Sequence, residues 1–350
     1  MRMMKKAILL LIGLIFASGQ TFADTRATAL LLHNGQGKSF DADQLQQAVD
    51  EAVAGDAIYL SEGTFQPGAK DTLLLDKAVS LIGAGGDLTK VVRNIYIAID
   101  GNPTLEDFRI SGLRVGNILV GKKMRGLKIS QCFMNGYFTA TDSVTGVEMD
   151  RCYMRGFIPT AYVRSAAVSN SCIASIGGMH SDGKNPYYFN SSGCDLSFVN
   201  CDIALFSAIY IDSNTCRGGR VHDAIFTNCI VYTIANWNSN QEYNTYINCL
   251  LMNEPKTGNV VSNCYIDSKL SVTVDGANSY FPTFRLSKQD ATTDLLTSSG
   301  YLGTDGTAVG AYGGATPYSL RADGIHVKES VLRVDPETRQ LKVTLKVATE

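Results

Sequence analysis

A short motif ending in cysteine recurs seven times between residues 127 and 266, and it constrains the fold more than any other feature of the chain. Successive cysteines are 20, 20, 29, 28, 20 and 15 residues apart. Apolar residues stand five and three positions before most of these cysteines and two positions after each of them. This period of two indicates short strands with one buried face. The seven cysteines are Cys132, Cys152, Cys172, Cys201, Cys229, Cys249 and Cys264.

Asparagine directly precedes four of the cysteines, at Asn200, Asn228, Asn248 and Asn263. Among non-glycine residues asparagine is the most tolerant of a left-handed backbone, so we predict units of strand, Asn turn and strand. A repeat of this length without an amphipathic helix is typical of a solenoid, and the LxxLxLxxN pattern of leucine-rich repeats is absent. The chain is therefore predicted to be an all-β, right-handed parallel β-helix solenoid. We expect the cysteines to form one inward row and the asparagines another, with layers about 4.8 Å apart.

Residues 38–63 predict a cap that covers the N-terminal end of the solenoid. Asp43 and Gln46 have the spacing of a capping box, Gly55 stands where a helix would end, and Ala57–Leu60 alternates like a strand. The expected helix has five apolar residues on one face, namely Leu45, Ala48, Val49, Ala52 and Val53.

The stretch LQQAVDEAVAGDAIYLSEGTF, the following VSLIGAGG and the Asn-Cys units together resemble the pectin-lyase-like right-handed β-helix proteins. The resemblance covers roughly residues 38–270 and implies the fold more specifically than the activity. Members of that family include polysaccharide lyases, glycoside hydrolases, pectin esterases and exported proteins with no known reaction. The paired aspartates of polygalacturonases, the calcium-binding aspartates and RxPxxR of pectate lyases, and the QDTL segment of pectin esterases are missing here.

Three segments of the chain are predicted from these features. Residues 1–23 are predicted to be a signal peptide, with Arg2, Lys5 and Lys6 before an apolar run. Residues 24–325 are predicted to form the β-helix domain, with a cap at 38–63, Asn-Cys units at 127–266, and a tail at 267–325 that packs over the C-terminal end. Residues 326–350 alternate as a β-hairpin with its turn at 335–338.

Composition and charge limit the function classes. The chain has 31 basic and 33 acidic side chains, and loss of the three basic leader residues would leave 28 basic ones. A mildly acidic protein lacks the concentrated basic field of a nucleic-acid binder. We expect an exported monomer without a membrane span, placed in the periplasm, at the cell surface or outside the cell. No lipid-modified cysteine is expected at the new N-terminus, and no cofactor is indicated, calcium included. Cys194 and Cys216 lie outside the cysteine row, and a disulfide between them stays open.

Two units are longer than the 20-residue norm, and their extra loops are expected to meet because the units are neighbours. A lyase on uronic-acid polysaccharide needs cations near the sugar carboxylate, a base for the C5 proton, and aromatic rings to hold the sugar. The candidate catalytic residues are His180, His222, Arg217, Arg220 and Lys184. The candidate substrate-binding residues are Tyr187, Tyr188, Trp237 and Asp212.

These residues predict an exported glycan-interacting protein whose partner is a polysaccharide, and whether it is an enzyme stays open. Lyase chemistry is favoured over glycoside hydrolysis, which needs two facing carboxylates, for which Asp212 and Asp223 are the candidates. The alternative is a non-catalytic structural or adhesin-like surface protein that uses the solenoid as a rigid spacer.

Overall fold

The structure is a computed structural model. It describes residues 27–67, 72–101, 108–158, 162–174, 176, 194–203, 221, 223–231, 243–251, 254–255, 258–266, 301–321, 325–334 and 341–349.

One helix and 29 strands make up the described elements. In chain order the first sixteen are β1 (Thr28–His33), β2 (Gln36–Asp41), α1 (Leu45–Glu51), β3 (Ala57–Leu60), β4 (Gly63–Phe65), β5 (Thr72–Leu75), β6 (Ser80–Ile82), β7 (Thr89–Val91), β8 (Asn94–Ile97), β9 (Arg109–Ser111), β10 (Arg114–Val115), β11 (Ile118–Val120), β12 (Met124–Arg125), β13 (Lys128–Ser130), β14 (Phe133–Ala140) and β15 (Val144–Thr145). The rest are β16 (Val147–Asp150), β17 (Tyr153–Ile158), β18 (Ser165–Ser169), β19 (Cys172–Ile173), β20 (Asp195–Val199), β21 (Asp202–Ile203), β22 (Ile225–Thr227), β23 (Ile230–Val231), β24 (Thr245–Ile247), β25 (Leu250–Leu251), β26 (Val260–Ser262), β27 (Tyr265–Ile266), β28 (Ile325–Val334) and β29 (Leu341–Thr349).

Two long sheets dominate the molecule. Sheet A has 12 strands in the order β2-β1-β3-β6-β9-β13-β16-β18-β20-β22-β24-β26. Sheet B has 13 strands, with the path β4-β7-β10-β14-β17-β19-β21-β23-β25-β27 and β5, β8 and β11 beside it. From β3 to β27 the chain enters the two sheets alternately, and each strand pairs in parallel with the strand one pass away. Strands β12 and β15 are the exceptions, because they pair with each other in a separate two-stranded parallel sheet. We call a strand of sheet A and the sheet B strands that follow it a layer, and there are ten layers. The all-β prediction is confirmed.

Left-handed residues make the turn from sheet A to sheet B in successive layers. The four asparagines predicted at these turns have φ values between 50° and 54°, as expected, and Gln131, Arg151 and Asn170 hold the same conformation in other layers. The asparagine side chains also form the predicted second row, because the Asn248 amide donates to Asn228 Oδ1 over 3.2 Å. Asparagine therefore serves both as the turn residue and as a side chain that hydrogen-bonds to the equivalent asparagine in the next layer.

The inward row of thiols is confirmed for six of the seven cysteines and wrong for Cys172. Tyr153 of β17 pairs with Cys172, and Cys172 pairs with Asp202, so Cys172 belongs to the outward face of sheet B. Its place in the row is taken by Ser171, whose hydroxyl accepts a hydrogen bond from the Cys152 amide over 3.0 Å. The physical reason is that Asn170 makes the left-handed turn one residue earlier, and a shift of one residue moves a side chain to the other face of a strand.

The core between the sheets is a continuous stack of apolar side chains with aromatic rings at its centre. Phe198 and Phe226 are stacked at 4.9 Å between ring centroids, and Phe226 and Tyr246 at 5.1 Å. These rings come from neighbouring strands of sheet A in register, so each of these three layers adds one ring to the stack. Cysteine fits beside them because a buried free thiol behaves as a small apolar group.

Helix α1 and the hairpin β1–β2 close the N-terminal end of the sheets. The predicted capping box is wrong, because the helix starts after Gln44 and has no side-chain cap, while Gln46 instead exchanges hydrogen bonds with the backbone of Leu74. The helix ends at Glu51, before Gly55, and Val53 points to solvent with 48% of its surface exposed. Four of the five residues on the predicted apolar face, Leu45, Ala48, Val49 and Ala52, are buried.

Residues 301–321, which we call the strap, lie along the side of sheet B rather than over the C-terminal end. Asn248 donates to the Leu302 carbonyl in the ninth layer, and the Gly86 amide donates to the Leu320 carbonyl in the second. The strap therefore crosses seven layer spacings, about 34 Å, against the direction of the layers. It covers outward apolar side chains of sheet B, such as Ile230 and Leu250, which a tail over the end would leave in water.

The last two strands, β28 and β29, pair antiparallel, as the alternation in residues 326–350 predicts. The predicted signal peptide, the first half of the predicted tail at 267–300, and the hairpin turn at 335–338 lie outside the described residues.

Candidate functional site

The nine side chains that the sequence assigns to a site lie outside the described residues. They fall in or beside three connections that run from sheet B to sheet A: connection 1 (177–193), connection 2 (204–220) and connection 3 (232–242). Connection 1 contains His180, Lys184, Tyr187 and Tyr188, connection 2 contains Asp212, Arg217 and Arg220, connection 3 contains Trp237, and His222 follows connection 2. Their roles stay predictions.

The anchors of these three connections are described, and they are neighbours. The connections leave sheet B after β19, β21 and β23, which are adjacent, and enter sheet A at β20, β22 and β24, which are also adjacent. Strands in a sheet lie about 4.8 Å apart, so the first and third anchors are about 10 Å apart on each sheet. The topology thus attaches all three connections to one side of the molecule. Connection 3 belongs to a unit of ordinary length, so unit length alone did not predict that it would join the other two.

Five exposed side chains border the place where the connections enter sheet A. We call Tyr162, Arg164, Asp195, Asp223 and Tyr243 the rim. Asp195 lies two residues before Ser197, Asp223 two before Ile225 and Tyr243 two before Thr245, and these three strand residues pair in register. Asp195, Asp223 and Tyr243 therefore follow one another in successive layers, and Tyr162 and Arg164 both lie in the layer before Asp195. Tyr162 is 49% exposed and Tyr243 is 56% exposed, so aromatic rings stand at both ends.

The rim carries one positive and two negative charges, and they surround a buried thiol. Burial raises the pKa of the Cys194 thiol, the guanidinium of Arg164 lowers it, and the carboxylates of Asp195 and Asp223 raise it further. All three charged groups are thus near Cys194, whose thiol is free and 2% exposed. The described part of the rim is acidic by one charge.

A buried asparagine fixes the backbone of the rim. The Asn244 side chain is fully buried, its Oδ1 accepts from the Ala224 amide over 3.0 Å, and its Nδ2 donates to the Val221 carbonyl over 3.0 Å. The Asn244 amide donates to Asn259 Oδ1 over 2.9 Å, which joins the next layer. Three layers are tied together beside Asp223 and Tyr243, and these hydrogen bonds fix the backbone at those two rim residues.

Two rim residues have a left-handed backbone, with φ of 57° at Asp223 and 51° at Tyr243. Aspartate visits this region at modest cost, whereas a tyrosine there is uncommon and costs roughly 1–2 kcal/mol. Among the described residues Tyr243 is the only aromatic residue with positive φ. Strain of this kind tends to mark functional positions.

The rim has the chemistry of a surface for a polyhydroxylated ligand. Carboxylates accept hydrogen bonds from hydroxyl groups, a guanidinium donates them, and tyrosine rings offer flat apolar faces. The rim supplies one cation, Arg164, beside two carboxylates, so the neutralising cations of a lyase are predicted to be Lys184, Arg217 and Arg220. Within the described ranges, no group of three or more His, Cys, Asp and Glu side chains is arranged to hold a metal ion.

A second polar cluster lies beneath the strap and is too enclosed for catalysis. Cys172 Sγ is 4.0 Å from Asp202 Oδ2, and both side chains are buried under Ala311 and Tyr312. Burial, then the nearby Asp202 and Cys201, raises the pKa of the Cys172 thiol, which therefore stays protonated. A protonated, covered thiol is a poor nucleophile. The cluster belongs to the packing of the strap.

Comparison with protein families, with curated proteins and with solved structures finds no match to this chain. The resemblance to pectin-lyase-like proteins accordingly stays a prediction. No helix in the described part of the chain is both long and apolar enough to cross a membrane.

Sequence reasoning singled out Asp223 but missed the other four rim residues. Tyr162, Arg164 and Tyr243 lie a few residues before strands, in units of ordinary length, and Asp195 is the first residue of β20. Tyr243 offered a usable signal, because it is an aromatic residue followed by Asn244 and then by the alternating segment TYINC. Its exposure follows from the backbone conformation, which the sequence alone does not reveal.

Proposed function

We propose that this chain is an exported right-handed parallel β-helix protein that binds polysaccharide on the side where connections 1, 2 and 3 join the two sheets. The observation that carries the proposal is the anchoring of all three connections on neighbouring strands, beside a rim with exposed tyrosines at both ends. An extended row of side chains along successive layers suits an extended polymer better than a small compact ligand.

The β-helix reading draws support from the alternation of the chain between two parallel sheets through ten layers. Crossovers between parallel strands of one sheet are right-handed in about 98% of cases, so we propose right-handed connections here. An experimental structure with left-handed connections would contradict this part of the proposal. Export rests on the basic residues and apolar run of residues 1–23.

If the bound polysaccharide contains uronic acid, we propose lyase chemistry at the connections. His180 or His222 would take the proton from C5, and the electron pair of that bond would form the double bond between C4 and C5. The bond from C4 to the leaving oxygen would break with its electron pair on that oxygen, which takes a proton from water. Lys184, Arg217 and Arg220 would neutralise the carboxylate as charge develops beside it. Tyr187, Tyr188 and Trp237 would hold the sugar rings, with Asp212 accepting hydroxyl hydrogen bonds.

A screen of purified residues 24–350 on a glycan array, combined with an absorbance assay for the unsaturated sugar product, tests the proposal. We expect binding to at least one polysaccharide. If that polysaccharide yields product, His180→Ala or His222→Ala should lower the rate at least a hundredfold, since a general base typically contributes 10²–10⁴-fold. His326→Ala is the matched control, because His326 lies in β28, away from the three connections in the chain.

Binding without product would establish a binding protein. An absence of both binding and product would contradict the proposal and favour the structural or adhesin-like alternative.

A further inference from the structure

We infer that Asp223 and Tyr243 form a subsite for an uncharged sugar unit, with Tyr243 as the stacking platform and Asp223 as an acceptor for sugar hydroxyls. This inference rests on the proposed function and names the kind of sugar that meets the rim.

The conformation of Tyr243 is the first support. More than half of the residue surface is exposed, on a left-handed backbone that a tyrosine rarely adopts. Glycine or asparagine would make the same turn without strain, and asparagine does so at other turns of this chain. A strained aromatic residue at an exposed turn therefore calls for a reason outside the packing of the core.

The position of Asp223 is the second support. Asp223 lies in the preceding layer, in register with Tyr243, and has the same left-handed conformation. The two residues are consequently about 4.8 Å apart along the sheet. An aromatic face with a carboxylate at its edge offers both an apolar surface for a sugar ring and an acceptor for its hydroxyl hydrogens.

The fixed backbone is the third support. The fully buried Asn244 side chain ties the strand that follows Tyr243 to Val221 and Ala224, which flank Asp223. Binding then loses little freedom in the protein, which favours affinity for a flexible polymer.

The charge of the rim sets the class of sugar. Asp195 and Asp223 are carboxylates in adjacent layers, and among the rim residues that the structure describes Arg164 is the single cation beside them. The net negative charge of these rim residues would repel a uronate placed here, whereas it would not repel an uncharged sugar. A uronate unit elsewhere on the same polymer would have to meet the cations predicted in connections 1 and 2.

Titration calorimetry with two probes tests the subsite. The probes are a mixture of uncharged cello-, xylo- and manno-oligosaccharides and a mixture of oligogalacturonates, and the proteins are the full chain without its leader, Tyr243→Gly and Tyr243→Phe. We expect Tyr243→Gly to weaken binding of an uncharged oligosaccharide at least fivefold, because the platform is gone. Tyr243→Phe should stay within twofold, because it keeps the ring.

Thermal unfolding of the same variants separates binding from folding. Glycine relieves the left-handed backbone, so Tyr243→Gly should unfold at the same temperature as the parent or a higher one. A loss of affinity smaller than fivefold, or one seen with the oligogalacturonates alone, would overturn the subsite while leaving the proposed function standing. If the parent binds neither probe nor any glycan on the array, the proposed function fails and the subsite fails with it.

Discussion

The contact between Gly310 and Asp202 illustrates how one residue of the strap is fixed by one buried side chain. Gly310 has φ of 96°, and a Cβ at that position would lie 2.4 Å from Asp202 Oδ1 and 2.7 Å from Ile230 Cδ1. The first distance is far below van der Waals contact, so a side chain at position 310 would force Asp202 and Ile230 to move. Position 310 therefore requires glycine for both conformation and space.

Gly310→Ala is expected to destabilise the protein by about 3 kcal/mol, which combines the left-handed backbone with the overlap. Gly306→Ala is the matched control in the same strap, since its φ is 78° and its added Cβ would touch nothing within 4 Å. That control should cost about 1 kcal/mol. Urea unfolding of the two variants measures the difference, and equal losses would contradict the close contact.

The register at Cys172 shows that the spacing of a motif alone does not predict on which face of a strand a residue lies. Sequence spacing placed Cys172 in the inward row because it stands 20 residues after Cys152. Asn170 precedes it by two residues, and this asparagine, rather than the cysteine, fixes the register because it alone adopts the left-handed turn in that layer. Aligning the units on the turn residue would have predicted Ser171 in the row.

At the scale of elements, the strap is the part of the fold that the sequence predicted least well. It was expected to cover the C-terminal end, yet residues 301–321 follow the asparagine row and the outward face of sheet B. The asparagine amides of the turns present donors on one line, which an extended chain with free carbonyls can follow. Short-range patterns do not reveal such long-range pairing.

The hairpin β1–β2 was also missed, although its signal is local. Asn34 and Gly35 both have positive φ, as a two-residue hairpin turn requires, and the dipeptide Asn-Gly after the apolar run of β1 predicts that turn. Strand β1 then pairs antiparallel with β3 and closes the end of sheet A. The predicted cap began at residue 38, after this dipeptide.

Docking of the strap makes stability depend on pH. Burial raises the pKa of Asp202 from 3.8 to about 7, partly offset by a hydrogen bond from the Ala311 backbone. The folded protein holds the Asp202 proton more tightly than the unfolded chain does. The contribution of Asp202 to the free energy of unfolding is therefore greatest below pH 4 and is lost as pH rises to about 7. The loss is up to roughly 4 kcal/mol. Burial also raises the pKa values of Cys172, Tyr312 and Tyr318, so these neighbours stay neutral in that range.

Asp202→Asn should therefore flatten the dependence of stability on pH and leave the variant more stable than the parent at pH 8. Chemical unfolding of both proteins from pH 4 to pH 8 measures this. Parallel profiles for parent and variant would mean that Asp202 is not the buried acid described here.

For the whole molecule, the sequence predicted the all-β class and the period of the layers, because apolar alternation and turn residues are local properties that repeat. It also predicted that two long units would be neighbours, and the strands that anchor connections 1 and 2 are adjacent. The rim escaped prediction because it arises from residues far apart in the chain that stand in register. Arg164 and Asp223, for example, are brought near one thiol only by the stacking of layers.

Fluorescence of Trp237 tests the central claim, glycan binding at the three connections, most directly. Trp237 is the only tryptophan of the chain and belongs to connection 3, so its emission reports on that side alone. On titration with a glycan that the array identifies, we expect a saturable change in Trp237 emission and protection from a soluble quencher. The midpoint should match the calorimetric affinity and move to higher glycan concentration in Tyr243→Gly. Calorimetric binding without any change in Trp237 emission would contradict the account and place the glycan elsewhere on the molecule.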